Sequence, residues 1–403
     1  MNELLAGQPA VLLVGPRACG KTTTARRQCR GVIRLDRPAE ANAARADPDA
    51  VIADGPFPLL VDEWQLVPDV LGAIKRAVDD DSSPGRFVIT GSSQADLTSA
   101  GWPGTGRVIR VALDGLTERE LVGSVSGPPL LDRLIATGFD VLPPSPSEPP
   151  DSRGYVSRAL RGGFPELALA NSETVRRRWL ASYVDQVVSR DVAQVGAVRD
   201  PLRLRRFLQT IAANTAGTPT LQTLLDSVGI DRATAMSYDT MLEQLFVTER
   251  VPAWSNNRLQ RLVRLPKRYL VEPAFLVPLL GADARGTQRD GHILGRLLDT
   301  FVLAQLRADG VVSELGPRFF HVRDANGRHE VDLVVELPDG RIVGIEVKAG
   351  ATPVAADADH LRWLRRALGD RFVGGVVFHA GPRCLRLAPD ILALPICLLW
   401  SAA

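Results

Sequence analysis

The tightest constraint on this chain is the junction "AVLLVGPRACGKTTTARR" at residues 10–27. Val11 to Val14 is a short aliphatic run of the kind that parallel sheets bury. It leads directly into Gly15-Pro16-Arg17-Ala18-Cys19-Gly20-Lys21-Thr22-Thr23, and a helix-compatible stretch follows. Strand, glycine-cornered loop and helix in that order are the context a phosphate loop requires. The glycines let backbone N–H groups curl around phosphate oxygens. Residues 15–23 are therefore expected to cradle ATP, with Lys21 reaching the β- and γ-phosphates and Thr22 ligating Mg2+. The fold class that follows is α/β.

A partner segment lies about 40 residues on. In "PLLVDEWQLVP", Leu59 to Val61 read as a second buried strand ending in Asp62 and Glu63. Asp62 is placed to hold Mg2+ through water, and Glu63 to polarise the attacking water. "FVITGSS" (87–93) is a third strand ending in hydroxyl residues, of which Thr90 or Ser92 could meet the γ-phosphate or that water. Arg107, in "GTGRV", is a candidate arginine finger, in cis or on a neighbouring subunit. Action in trans would require a homo-oligomer.

The segments "LLVDEWQLVPDVLGAIK", "FVITGSSQADL", "GRVIRVALDGLTEREL" and "RGGFPE" together resemble a bacterial and archaeal AAA+ ATPase family. Its members carry a C-terminal domain of unknown function, of the 4143 type, related to restriction-endonuclease-like folds. The resemblance implies an AAA+ parallel-sheet core with a helical lid. It also implies Gly15, Gly20, Lys21 and Thr22 for phosphates, and Asp62 and Glu63 for metal and water. Structural or sensing roles fall around Ser92, Arg107 and Phe164-Pro165.

Five regions are expected. The ATPase core spans 1–121, and a Pro/Ser/Gly-rich insert or linker spans 122–152, because "PPSPSEPP" can be neither helix nor central strand, with a short helix possible at "LLDRLIA". A helical lid follows at 153–197, where Trp179, Leu180, Tyr183, Val184, Val187 and Val188 recur at helical spacing. Residues 198–270 read as a winged helix-turn-helix, and 271–403 as a nuclease-like domain. The second helix of the winged pattern is a poor set for gripping phosphates. Its wing carries Arg258, Arg261, Arg264, Lys267 and Arg268, so nonspecific nucleic-acid (DNA) contact would run through the wing. The alternative is a module that packs between domains.

Lysine usage points to the C-terminal region. Of 48 basic residues, only 21, 75, 267 and 348 are Lys. A Lys that survives such an arginine bias needs a compact ammonium. "RHEVDLVVELPDGRIVGIEVKAG" alternates apolar residues about a Pro338-Asp339-Gly340 turn. Leu337 pairing with Arg341 would set Asp332 opposite Glu346 and Glu330 opposite Lys348. Adjacent carboxylates repel across a hairpin, and a shared Mg2+ would turn that repulsion into ligation. Asp332-x13-Glu346-x-Lys348 is also the arrangement of the PD-(D/E)xK nucleases, in which two carboxylates hold Mg2+ and the lysine serves catalysis. Asp299 is the upstream helical acid that would complete the metal set, with a shorter arm than the usual Glu.

Net charge is +2, which neither demands nor excludes a polyanionic partner. No signal-like segment opens the sequence and no apolar run approaches ~18 residues, so a cytoplasmic protein without a membrane span is expected. The function expected is ATP hydrolysis whose nucleotide state controls a winged-helix module and a nuclease-like domain acting on nucleic acid. The alternative is a nucleotide-dependent switch that binds protein partners and whose nuclease-like domain is catalytically silent.

Overall fold

The computed structural model describes residues 1–53, 55–91, 105–192, 200–257, 261, 264–324 and 328–401. Its first layer is a five-stranded sheet in the order β2-β3-β4-β1-β5. The strands are β1 (Ala10–Val14), β2 (Gly31–Arg34), β3 (Leu59–Asp62), β4 (Phe87–Gly91) and β5 (Val108–Ala112), and among the described residues they pair in parallel. β1, β3 and β4 are buried along their whole length, as their near-continuous aliphatic sequences require. Helix α1 (Lys21–Arg26) follows the phosphate loop, and α2 (Val70–Asp80) packs its apolar stripe on the sheet.

The insert forms the helix expected at "LLDRLIA" and packs against the rest of the chain. Helix α3 (Leu130–Thr137) forms within it, and Leu130, Leu131, Leu134 and Phe139 are buried. Phe139 lies on Gly374 so closely that a Cβ there would come within 2.0 Å of the ring. Ser145 Oγ accepts the Cys384 N–H at 2.9 Å, and both carboxylate oxygens of Asp132 accept from Ser313 Oγ, at 2.8 and 2.9 Å. Proline denies this segment regular structure over 143–150, and side-chain burial fixes it instead.

Next come α4 (Ser152–Arg161) and α5 (Glu173–Gln186). α5 ends in a π-helical turn, Val187–Asp191. Phe164 is the hub of an aromatic group with Trp179, Tyr183 and Phe275. Helices α6 (Pro201–Ala213), α7 (Leu221–Val228) and α8 (Arg232–Gln244) follow. Asp200, Thr220 and Asp231 cap them by accepting first-turn N–H groups. A two-stranded antiparallel hairpin, β6 (Thr248–Val251) and β7 (Lys267–Leu270), closes this module.

Helix α9 (Gly291–Val312) is long, and its buried residues run from Leu297 to Asp309. It covers one face of a six-stranded mixed sheet ordered β12-β13-β11-β10-β9-β8. These strands are β8 (Arg318–Arg323), β9 (Glu330–Glu336), β10 (Ile342–Lys348), β11 (Phe372–His379), β12 (Leu385–Ala388) and β13 (Ile391–Pro395). Helix α10 (Asp359–Leu368) covers the other face. β9 and β10 pair as the turn predicts, with Glu336 opposite Ile342 and Leu333 opposite Ile345. The expected alternation breaks at one point. Phe320 and Val322 of β8 oppose Val334 and Val331 of β9, so two residues of β8 face three of β9. This bulge sends Val331 to the α10 face while Leu333 and Val335 face α9. No helix among the described residues is long and apolar enough to cross a membrane.

Candidate active site and the second carboxylate cluster

Parallel order sets the first site. β1 lies between β4 and β5, so the loop after β1 opens at the strand ends where Asp62, Thr90 and Leu113 also emerge. Gly15 has φ +154°, and a Cβ there would lie 2.0 Å from the Leu113 carbonyl oxygen. Only glycine allows that approach. Cys19 Sγ donates to the same carbonyl at 3.2 Å, which fastens the loop to the chain leaving β5.

Lys21 is buried, and burial lowers its pKa from the usual lysine value. Its ammonium donates to the carbonyls of Gly15 (2.9 Å) and Pro16 (2.7 Å), so it folds back on its own loop. Thr22 Oγ1 donates to Asp62 Oδ1 at 2.8 Å. Thr90, paired with Asp62 in the sheet register, donates its hydroxyl to the same oxygen. Thr90 thus orients the carboxylate, a role sequence reasoning did not assign it. Glu63 adopts φ +58°, a left-handed conformation that a non-glycine residue adopts at a cost of roughly 1–2 kcal/mol. Such an outlier at an acidic residue beside a metal-type carboxylate points to function.

Thr23 is exposed at the mouth of the loop. Arg17 Nε pairs with Asp191 at 3.2 Å, and Tyr183 OH donates to the Arg17 carbonyl at 3.4 Å. The π-helical end of α5 is therefore latched to the phosphate loop. Arg107 does not turn into this site within the chain. It lies on the surface against Asp79, which also binds Lys75. Ser92 and Arg258 lie outside the described residues. A cavity of about 990 Å³ opens beside Cys19 and Thr24, walled by Leu113, Leu116, Pro129 and the α9 residues Ala308 and Val311.

The C-terminal carboxylates were expected to share Mg2+, and here the structure corrects the reading. Asp299, Asp332 and Glu346 do not converge on a common centre; among the described residues no group of three or more His, Cys, Asp or Glu side chains could hold a metal. An ammonium stands between two of them instead. Lys267 Nζ is 3.0 Å from Asp299 Oδ2 and 2.9 Å from Asp332 Oδ1. Tyr269 OH donates to Asp299 Oδ1 (3.1 Å), and the Val347 N–H donates to Asp332 Oδ2 (3.0 Å). Glu346 bonds Lys348 through Oε2 at 2.8 Å, and its buried Oε1 has no donor.

The electrostatics follow from burial and these partners. Burial alone would discharge Lys267, but Asp299 and Asp332 hold its pKa well above the usual lysine value. Burial pushes Asp299 up to about 6 against the pull of Lys267. Asp332 is half-buried, and Lys267 and the Val347 N–H hold it below the usual carboxylate range. Burial, then the Asp332 charge, raises Glu346 to about 8, against the opposing pull of Lys348. All four Asp299 and Asp332 oxygens already accept bonds from the protein, and of the three side chains only Glu346 Oε1 is left without a donor. The residues assigned to metal ligation, Asp299, Asp332 and Glu346, do not fit a divalent ion. Lys348 donates to Glu346 Oε2.

The wing assignment is corrected likewise. Lys267 is 1% exposed. Arg268 pairs with Asp239 at 2.5 Å. Arg261 clamps Glu336 of β9 with two bonds, at 2.7 and 2.8 Å. Of the five basic residues expected to grip phosphates, Arg264 alone is described and exposed. The outer face of α8 presents Arg232, Ala233, Met236, Ser237 and Thr240, while Asp239 is buried.

Arg307, Gln305 and Asp309 of α9 were missed by sequence reasoning. Arg307 Nε donates to Asp114 at 3.0 Å, and its other nitrogens reach Glu249 and the Val271 carbonyl. Gln305 accepts the Glu118 N–H at 2.8 Å, and Asp309 pairs with Arg119 at 3.4 Å. The available signal was polar side chains on the buried stripe of an otherwise apolar helix.

Strand order, phosphate loop and strand-end carboxylate define a P-loop nucleotide-binding core. Family models agree: an AAA domain matches residues 7–122, the domain of unknown function DUF8612 matches 152–286, and the domain of unknown function DUF4143 matches 294–399. The chain is 31% identical over 401 residues to an uncharacterized protein of Mycobacterium tuberculosis, across 98% of this chain and 82% of that one. An uncharacterized protein of Mycobacterium bovis matches with the same identity and coverage. Among solved structures, a Walker-type ATPase of Pyrococcus abyssi overlaps 69% of this chain and 93% of its own, at 13% identity and a TM-score of 0.42. The chain belongs to the family of AAA ATPases that carry a C-terminal DUF4143 domain.

Proposed function

We propose that this protein hydrolyses ATP with Mg2+ at the phosphate loop, and that the nucleotide state passes through α9 to a C-terminal domain that cleaves nothing. The observation that carries the first part is Asp62 Oδ1, which accepts the hydroxyls of both Thr22 and Thr90 directly beneath the loop. A hydroxyl and a carboxylate already in contact are the donor set that suits Mg2+, and Thr22 and Asp62 would hold it. That ion would neutralise charge on the β- and γ-phosphate oxygens. Lys21 would exchange the loop carbonyls for phosphate oxygens. Glu63 would orient the attacking water.

The nucleoside would enter the cavity beside Cys19 and Thr24, whose far wall is α9. Leu113 touches the loop, and the adjacent Asp114 binds Arg307. Arg307 lies eight residues from Asp299, about 12 Å along the same helix. This route joins the phosphate loop to the Lys267 cluster through a rigid element.

Protein is the favoured partner. The middle module resembles a winged helix in element order, but its basic residues are largely committed to internal ion pairs. Phosphate release should be measured for the wild type, Lys21→Ala and Glu63→Gln; equal rates in all three would remove the ATPase assignment. Electrophoretic mobility shift at low salt, with and without ATP, tests the partner class. Retardation of DNA or RNA would favour nucleic acid over a protein partner.

A further inference from the structure

By residue type, Asp299 and Asp332 make a divalent-cation site, yet a different cation is built into it. The Lys267 ammonium bridges the two carboxylates at 3.0 and 2.9 Å. The other oxygen of each is taken by Tyr269 OH and the Val347 N–H. All four oxygens therefore already accept a bond from the protein.

The ammonium is also fixed in place. Lys267 sits on β7, paired with Val251 of β6. Arg268 beside it bonds the Gly217 carbonyl through its N–H at 2.8 Å, and the Leu270 N–H reaches Thr215 Oγ1 at 3.1 Å. The strand cannot slide without breaking these bonds, and Lys267 is 1% exposed although the Asp332 side chain beside it is 22% exposed.

We propose that Lys267 is the resident cation of this cluster, a tethered ammonium standing where a divalent metal would bridge Asp299 and Asp332. The cluster then has two roles that a metal site would not combine. It leaves the C-terminal sheet without a metal centre. It also bonds three elements from two modules: β7 from the middle module, and α9 and β9 from the C-terminal domain. A divalent ion would have to enter beside a fixed positive charge, where repulsion in a buried site is strong. Lysine suits the role because three ammonium donors converge from one compact point, which a planar guanidinium does not offer. The inference does not rest on ATP hydrolysis, because its test uses nucleotide-free protein.

The experiment titrates Mn2+ into the full chain without nucleotide and counts free ion by electron paramagnetic resonance. Wild type is expected to show no bound Mn2+ that Asp332→Asn removes. Lys267→Met keeps the side-chain volume and removes the charge; it should gain one bound Mn2+ per chain, lost again when Asp332→Asn is added. One ion bound to wild type that disappears in Asp332→Asn and persists in Asp62→Asn would overturn the proposal. So would a folded Lys267→Met that takes up none. Should Lys267→Met fail to fold, the wild-type titration with its Asp332→Asn control decides alone.

Discussion

Two carboxylate sites in this molecule have similar acids and opposite surroundings. Asp62 is met by two hydroxyls, which are neutral and can turn toward a metal. Asp299 and Asp332 are met by an ammonium, which already supplies the charge a metal would bring. Acids at strand ends or on paired strands do not make a metal site by themselves. What decides is whether their nearest donors are neutral and movable or cationic and fixed.

The largest expected effect lies at the first site. Gly15→Ala would drive a methyl group into the Leu113 carbonyl, 2.0 Å away, and distort the loop. ATP turnover should fall about 100-fold or more, the scale of losing transition-state donors. Coupled phosphate-release assays check this; normal turnover would mean that the loop's close fit does not matter.

Stability should separate the two sites next. Lys267→Ala leaves the buried Asp299 and the half-buried Asp332 without their cation and should cost about 3–5 kcal/mol. Asp62→Ala removes an acceptor whose donors can rebond, at about 1 kcal/mol. Urea unfolding of both variants measures the contrast, and equal losses would erase it.

Glu272, at the junction between the sites, gives a pH signature. Burial raises its carboxyl from 4.5 to about 7, against the N–H groups of Gly163 and Ala274. The folded protein then binds the proton more tightly than the unfolded chain. Its stability is full below pH 4.5 and falls as pH rises to about 7, by on the order of 1–3 kcal/mol. Glu272→Gln should flatten that slope in denaturation curves taken from pH 5 to 7.5.

The smallest effect belongs to Arg107. Its partner Asp79 is exposed, so Arg107→Ala should change stability by less than about 0.5 kcal/mol. A fall in turnover that grows with dilution of wild type into the variant would instead reveal an arginine acting across subunits.

The first site was legible in the sequence because its parts are local. Gly15 to Thr23 is one continuous turn, and Asp62 is fixed by the end of a strand whose neighbours are parallel. The β9–β10 register was also legible, since Pro338-Asp339-Gly340 sets the loop length. The bulge opposite Phe320 and Val322 was not, because it depends on a third strand. Lys267 was misread for the same reason. It is 32 and 65 positions from its partners, and only folding brings a hairpin of one module onto a helix and strand of another. Its rarity in an arginine-rich chain was the available clue, and it marked Lys267 as strongly as Lys348. In the insert the helix over "LLDRLIA" was legible, but the burial of Leu131 and Phe139 was not, because proline-rich composition reports only the lack of regular structure.

The most direct test of the contrast between the sites is the number of Mn2+ ions bound to wild type with a non-hydrolysable ATP analogue. The account predicts one per chain, abolished by Asp62→Asn and untouched by Asp332→Asn. Two ions per chain, or a single ion that survives Asp62→Asn, would contradict it.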